Sequence, residues 1–254
     1  MITLSRRSYR MWQRNRDVFF RVWRTEVPGM VAEPLMVLVA MGFGLGAFVG
    51  TVNGGRYIEF IGPGIIASYA MFSASFECTY GSYVRMHYQR TYDAIVSTPL
   101  NLEDVIAGEI FWGATRSILT ACVVLAVVAA FGLVSSLWAL LIPFVAAIQG
   151  LVFASIAMFY TSLATSINSF NYFFTLIITP MFFFSGVFFP LDAFPPLVQR
   201  LSWMVPLTSA TKLTRGLASG QVDTGLWVPL AILIGLAMAF FWLAMSNMRR
   251  RLVK

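Results

Sequence analysis

The chain has 254 residues, 58% hydrophobic and 11% charged, with a mean hydropathy of +0.75. A water-soluble domain of this length carries about 25% charged residues, so the composition excludes a soluble globular protein and points to an all-α membrane protein. The net charge of +7 does not point to nucleic acid, because the basic residues gather at the two ends of the chain.

Residues 3–25 place Leu4, Met11, Trp12, Val18, Phe19, Val22 and Trp23 at near-helical spacing, with arginines on the other face. An amphipathic helix in the inner-leaflet interface fits this pattern. Phe19 and Trp23 belong to its apolar face, and Arg14 and Arg16 turn to anionic lipid or a protein partner. A plain charged anchor is the alternative.

Apolar runs of roughly membrane-spanning length follow. Span one covers 29–51 and holds Gly42, Gly46 and Gly50, a small-residue repeat that lets another helix approach. Its GFGLG lacks the preceding strand of a dinucleotide loop. Since this run begins only at residue 29, behind an arginine-rich segment, it reads as an uncleaved anchor and not a signal peptide. Span two covers 62–84, and a polar insertion occupies 85–105. Span three covers 106–133 and span four 137–164. A short turn at 166–169 leads to span five, 170–189, which Pro180 should kink. The segment 190–224 is broken by Pro190, Pro195, Pro196, Pro206 and Gly220. It reads as a re-entrant helical hairpin of short helices that dip partly into the membrane. Span six covers 226–246.

Six spans put both termini on one side. Seven arginines in the first 24 positions and Arg249, Arg250, Arg251 and Lys254 at the end place that side in the cytoplasm. The insertion at 85–105 is then cytoplasmic and 190–224 external.

Three charges fall within the apolar stretches. Glu77 lies near the inner end of span two. Glu109 and Arg116 lie seven apart at the start of span three, on one helix face. Buried charges pair or line a polar cavity, so a Glu77–Arg116 or Glu109–Arg116 pair is expected, as a structural bridge or a substrate contact. Cys78 and Cys122 lie in spans and form no disulfide or metal pattern. The lone histidine, His87, has no companion for a catalytic or metal set, and no phosphate loop exists. The chain reads as a mover of something, not an enzyme, and one that does not itself hydrolyse ATP.

A mover without an engine needs one docked on its inner side. The largest inner loop contains YDAIVSTPLNLEDVIAGE, Tyr92–Glu109. Pro99 would end a helix near Thr98. Asn101 is the expected N-cap of the next helix, with Glu103 and Asp104 in its first turn. A short transverse helix, a proline break and a capped rising helix would pass force to spans two and three.

The run FECTYGSYVRMHYQRTYDAIVSTPLNLEDVIAGEIFWGATRS resembles the coupling region of type-2 ABC exporter permeases. Within them it is most similar to the NodJ-like permeases that export nodulation factors, which are lipo-oligosaccharides. The run PMFFFSGVFFPLDAFPPLVQRLSWMVPLTSATKLTRGLASG resembles the family's proline-bearing fifth span, outer hairpin and closing RG. The likeness covers residues 1–254 as one permease domain.

The resemblance implies two paired permeases, a homodimer, each bound by a cytoplasmic ATPase subunit that carries the ATP and Mg. It implies a coupling helix near Arg90–Pro99, with Arg90 and Asp93 as polar contacts and Ile95 and Leu100 as apolar anchors, and with Thr91, Tyr92, Thr98 and Pro99 in the same segment. It implies that the N-terminal helix touches the ATPase. The dimer seam would run along spans one and five, past Gly42, Gly46, Phe182, Phe183 and Phe189. Those aromatic residues would line a path for an amphipathic cargo, or pack against lipid and protein. Exporters of polysaccharide or drugs, an ion-gradient-driven transporter and a scaffold are the competing readings.

Overall fold

The computed structural model describes residues 8–49, 51–52, 54–92 and 101–252. Helix α1 runs unbroken over Ser8–Val39 and continues through a wide π turn, Ala40–Leu45, into Gly46–Val49. The sequence pattern separates a surface helix from a first span near residue 29; the structure joins them. Pro28 and Pro34 lie inside the helix without ending it. An apolar environment supplies no water to satisfy freed backbone groups, so continuity is favoured.

A two-residue hairpin follows, with β1 (Thr51–Val52) antiparallel to β2 (Gly55–Arg56). Gly54 takes the left-handed conformation of that turn, φ 80°. The backbone N–H and Nε of Arg56 donate to the Glu59 carboxylate at 3.2 and 2.7 Å. The side-chain bond to Arg56 holds the Glu59 carboxyl below its usual range.

Helix α2 (Tyr57–Phe76) lengthens through two wide turns, Glu77–Gly81 and Val84–Tyr88. Sixteen of its 20 residues are buried, which makes it the centre of the bundle. Around it stand α3 (Leu102–Ala130), α4 (Ile142–Leu163, after a 3-10 turn Leu137–Leu141) and, beyond them, α5 (Ser169–Phe184). Then come the short helices α6 (Pro196–Ser202) and α7 (Pro206–Ser219), and the final α8 (Trp227–Leu252).

Among the described residues, four helical segments are long and apolar enough to cross a membrane: Ser8–Val49, Leu102–Ala130, Leu137–Leu163 and Thr224–Leu252. The pattern of apolar runs predicts six. The second helix falls short in hydropathy, because a helix surrounded by protein need not be greasy all round. Ser68, fully buried, bonds back to the Gly64 carbonyl at 2.8 Å. The fifth is shorter and irregular. Its wide turn, Phe174–Ile178, comes just before Pro180. Proline has no N–H and its ring crowds the carbonyl four residues back, and a wide turn relieves that crowding.

Close packing at the centre depends on small residues. A Cβ on Gly113 of α3 would lie 2.6 Å from Cys78 Sγ, and one on Gly150 of α4 would lie 2.6 Å from Ser117 Cβ. Ser117 donates to the Ala146 carbonyl at 2.9 Å, and the buried Gln149 amide donates to the Ala67 carbonyl. Helix α3 starts at Asn101, whose extended backbone caps it. Asp104 and Val105 N–H groups donate to the Asn101 carbonyl at 3.0 and 3.3 Å, while its side chain makes no cap bond. Segment 190–224 holds two short helices, each opened by proline at its first turn.

Candidate functional site

At the end of the bundle where α2 finishes and α3 begins, the first helix docks on the third. Met11, Asn15 and Phe19, each four apart, are buried as one stripe. Gly108 admits Met11: a Cβ there would sit 2.6 Å from Met11 Cβ. Trp12 Nε1 donates to Thr115 Oγ1 at 2.8 Å, and the Phe19 ring lies 5.9 Å from Trp112.

The stripe leads to a charged junction. Glu109 is fully buried. It accepts from Asn15 Nδ2 at 3.2 Å, Ser82 Oγ at 2.7 Å, Arg85 Nε at 3.0 Å and Arg85 Nη2 at 2.5 Å. Arg85 also bridges Glu77 at 2.8 Å. Residues eight apart in a regular α-helix diverge by about 80°. The wide turn at Glu77–Gly81 holds one extra residue per turn, which brings Glu77 and Arg85 onto a common face. Arg116 bridges Glu26 at 2.7 Å, reaches Glu77 at 3.5 Å and lies 4.9 Å from the Phe19 ring centre. The junction thus ties α1, α2 and α3 together. The last helix is tied in beside it: Arg249 bridges Glu103 at 2.7 Å, and Arg251 donates to the Thr161 carbonyl and meets His87 Nε2 at 2.9 Å.

The junction stands directly before the predicted coupling segment. Arg90 is exposed and takes a left-handed backbone, φ 47°, the only non-glycine to do so among the described residues. Thr91 is half-buried. Tyr92 is 1% exposed and lies in the electrostatic neighbourhood of Glu109 and Arg85. It is an internal anchor and offers no surface to a partner. Asp93, Ile95, Thr98, Pro99 and Leu100 lie outside the described residues.

On the first helix, Arg14 donates to Asn15 Oδ1 at 3.3 Å and Arg16 bridges Asp17 at 2.7 Å. Phe19 points into the protein, whereas Trp23 is half exposed. Two cavities flank the junction. One, of about 350 Å³, is bounded by Arg14, Asn15, Phe19, Arg85, Trp112 and Arg116. The other, of about 470 Å³, is a groove lined by Glu26, Met30, Glu33, Tyr69, Phe72, Phe76 and Arg116. Beside the groove runs a stack of rings. Phe76 and Phe174 lie parallel at 4.2 Å, and Phe72 meets Phe182 at 5.3 Å.

The glycines expected at a dimer seam are in part engaged within the chain. A Cβ on Gly42 would strike Ile58 at 2.6 Å, and one on Gly46 would touch Tyr57 at 3.6 Å. Phe182 packs on Phe72 and on Phe188, while Phe183 and Phe189 are exposed. Among the described residues, no group of His, Cys, Asp and Glu side chains is placed to hold a metal ion.

Residues 6–219 match the ABC-2 type transporter family. The chain belongs to that family. It is similar to Nodulation protein J of Sinorhizobium fredii, with 35% identity over 96% of this chain and 93% of the relative. Nodulation protein J of Rhizobium meliloti is 37% identical, again over 96% and 93%. The inner membrane transport permease YadH of Escherichia coli is 23% identical over 94% and 93%. As an ABC-2 type permease, the chain is a multi-pass protein of the bacterial inner membrane, a non-catalytic component that belongs with an ABC ATPase.

In this ABC-2 permease the sequence pattern finds three of the junction's charges and misses its hub. Arg116 is expected to pair with Glu77 or Glu109; it reaches the first only at 3.5 Å, and Glu109 belongs to Arg85. Arg85 is overlooked because it sits where the polar insertion begins, among residues read as loop. Glu26 and Asn15 are overlooked because the N-terminal helix reads as a lipid-facing surface. The spacing of Met11, Asn15 and Phe19 carries the missed signal, since a polar residue at the centre of a buried stripe requires a buried partner.

Proposed function

We propose that the chain is the permease of an ATP-driven exporter and moves an amphipathic glycolipid of the lipo-oligosaccharide type outward across the inner membrane. The observation that carries this is the junction of Glu109, Arg85, Glu77 and Arg116. It joins three helices directly before residues 90–100, so a push on that segment reaches α1, α2 and α3 together. In this reading two ATPase subunits supply ATP and Mg, seat the coupling segment near Arg90 and Asp93, and touch the first helix through Arg14, Arg16 and Trp23. The chain crosses the membrane six times, with both termini in the cytoplasm. Two copies pair along α1 and α5, where Phe43, Phe48, Phe183 and Phe189 are exposed; Gly42 and Gly46 hold α1 against α2 and set that face.

The groove beside Phe72 and Phe76 supports the cargo assignment. Aromatic faces with carboxylates such as Glu33 suit a polyhydroxylated head, and the adjoining rings suit an acyl chain. Export of polysaccharide or drugs is the alternative within the family.

The test is recovery of the tagged chain in mild detergent, followed by ATP hydrolysis with and without lipo-oligosaccharide. Co-recovery of an ATPase whose rate the glycolipid changes is the expected result. Absence of an ATPase would overturn the coupling; a rate that answers only to polysaccharide or drugs would overturn the cargo.

A further inference from the structure

The opposite end of the bundle holds a second site. A cavity of about 230 Å³ opens between the start of α2, the turn after α5 and the two short helices α6 and α7. Its wall carries Lys212 and Arg215, one helical turn apart on α7. Arg215 gives its Nε and Nη2 donors to the carbonyls of Phe60 and Gly186 at 2.9–3.3 Å and lies 3.9 Å from the Phe60 ring centre. Lys212 Nζ stands 3.6 Å from the Trp203 ring centre. Among the described residues, no carboxylate lies within bridging distance of either cation. Asp192, the one acid on the wall, is exposed.

Two hydroxyls complete the wall. Ser185 and Thr211 are each 1% exposed, and among the described residues neither oxygen has a hydrogen-bond partner. Buried hydroxyls are ordinarily bonded, and cations withdrawn from water are ordinarily paired. Here Lys212 and two hydroxyls converge on one cavity with no hydrogen-bond acceptor among the described residues, beside an Arg215 that only neutral backbone carbonyls hold. The missing complement is an oxyanion, which accepts from ammonium, guanidinium and hydroxyl donors at once.

The surroundings decide what carries that oxyanion. Leu197, Leu201 and Met204 of the adjoining α6 region are 69%, 54% and 76% exposed, and half-exposed Trp203 sits between them and the cavity. An apolar apron beside a cationic cavity fits an amphiphile: a charged head goes inside and a chain lies across the apron. We infer that the cavity of Ser185, Thr211, Lys212 and Arg215 binds the phosphate of a phospholipid headgroup. The site is separate from the charged junction and goes beyond the export reading. It stands whether or not the cargo is a lipo-oligosaccharide.

The experiment is native mass spectrometry of the full chain in detergent, titrated with dioctanoyl phosphatidylglycerol, with dioctanoylglycerol and with inorganic phosphate. The expected result is one phosphatidylglycerol per chain and no comparable binding of dioctanoylglycerol. Lys212→Gln should weaken the lipid about tenfold, the loss of one charge-assisted bond, and Lys212→Arg should restore it. Thr211→Val removes an oxygen that no protein group uses. It should keep the thermal midpoint and still weaken the lipid, which a merely structural threonine would not do. Equal lipid affinity in wild type, Lys212→Gln and Thr211→Val would overturn the site. Equal binding of dioctanoylglycerol would overturn the phosphate. Inorganic phosphate binding as tightly as the lipid would overturn the lipid source.

Discussion

Replacing Glu109 with Gln keeps the shape of the side chain and removes its charge. Asn15 and Ser82 retain an acceptor, but Arg85 loses a carboxylate held at 2.5 Å. Removing one member of a buried ion pair costs about 3–5 kcal/mol, because the other charge is left uncompensated. Arg85 is not wholly abandoned: Glu77 still holds it at 2.8 Å, and its side chain is 16% exposed. The expected loss is therefore about 2–3 kcal/mol by that principle. A chain of this size shifts its midpoint about 2–4 °C per kcal/mol, so the fall should be about 4–12 °C. Tryptophan fluorescence on heating reads this directly in detergent. Arg85→Met should lose more than Glu109→Gln, since it removes the cation shared by the buried Glu109 and by Glu77. A Glu109→Gln midpoint within about 2 °C of wild type would refute the idea that the junction is a tightly shared charge site.

Gly113→Ala places a methyl 2.6 Å from Cys78 Sγ and 2.9 Å from Ala154 Cβ; it should cost about 1–3 kcal/mol by overpacking, read as a lowered thermal midpoint. Trp12→Phe removes the 2.8 Å bond to Thr115 and should cost about 1 kcal/mol, with faster proteolysis of the N-terminal helix as a second readout. Arg90→Gly suits the left-handed backbone and should leave stability within about 1 kcal/mol, whereas Arg90→Val should lower it by about 1–2 kcal/mol. Asp93→Arg should abolish co-recovery of the ATPase while the helices still insert, as measured by pull-down and by cysteine accessibility at Cys122.

Runs of apolar residues announce the helices of this chain well, because each helix must satisfy its own backbone in lipid. The third and fourth lie within four residues of their expected bounds, and the last runs six residues further than its apolar run, to Leu252. The second is the instructive exception. Its serines and small residues lower its hydropathy, yet it is the most enclosed helix. Sequence hydropathy measures what faces lipid, and α2 faces protein. Wide turns are equally hidden from composition, and they decide that Arg85 sits beside Glu77. The site was legible as isolated charges, Glu77, Glu109 and Arg116. Their partners Glu26, Asn15 and Arg85 come from segments whose local pattern reads as surface, and only the docking of α1 on α3 brings them inward.

The position of Arg116 has a consequence for movement. One guanidinium stands between two carboxylates, 2.7 Å from Glu26 on the first helix and 3.5 Å from Glu77 on the second. A small sideways step exchanges one for the other. The Glu26 stretch of the first helix can therefore shift from the third without leaving a bare cation behind, because Glu77 stays within reach of Arg116 as Glu26 departs. The step resembles a handover more than a rupture, and its barrier is that of sliding a forked side chain between two similar seats. An exchangeable contact of this kind lets that stretch of the helix shift and return at little cost, while Met11, Trp12 and Asn15 keep the start of the helix fixed on the third.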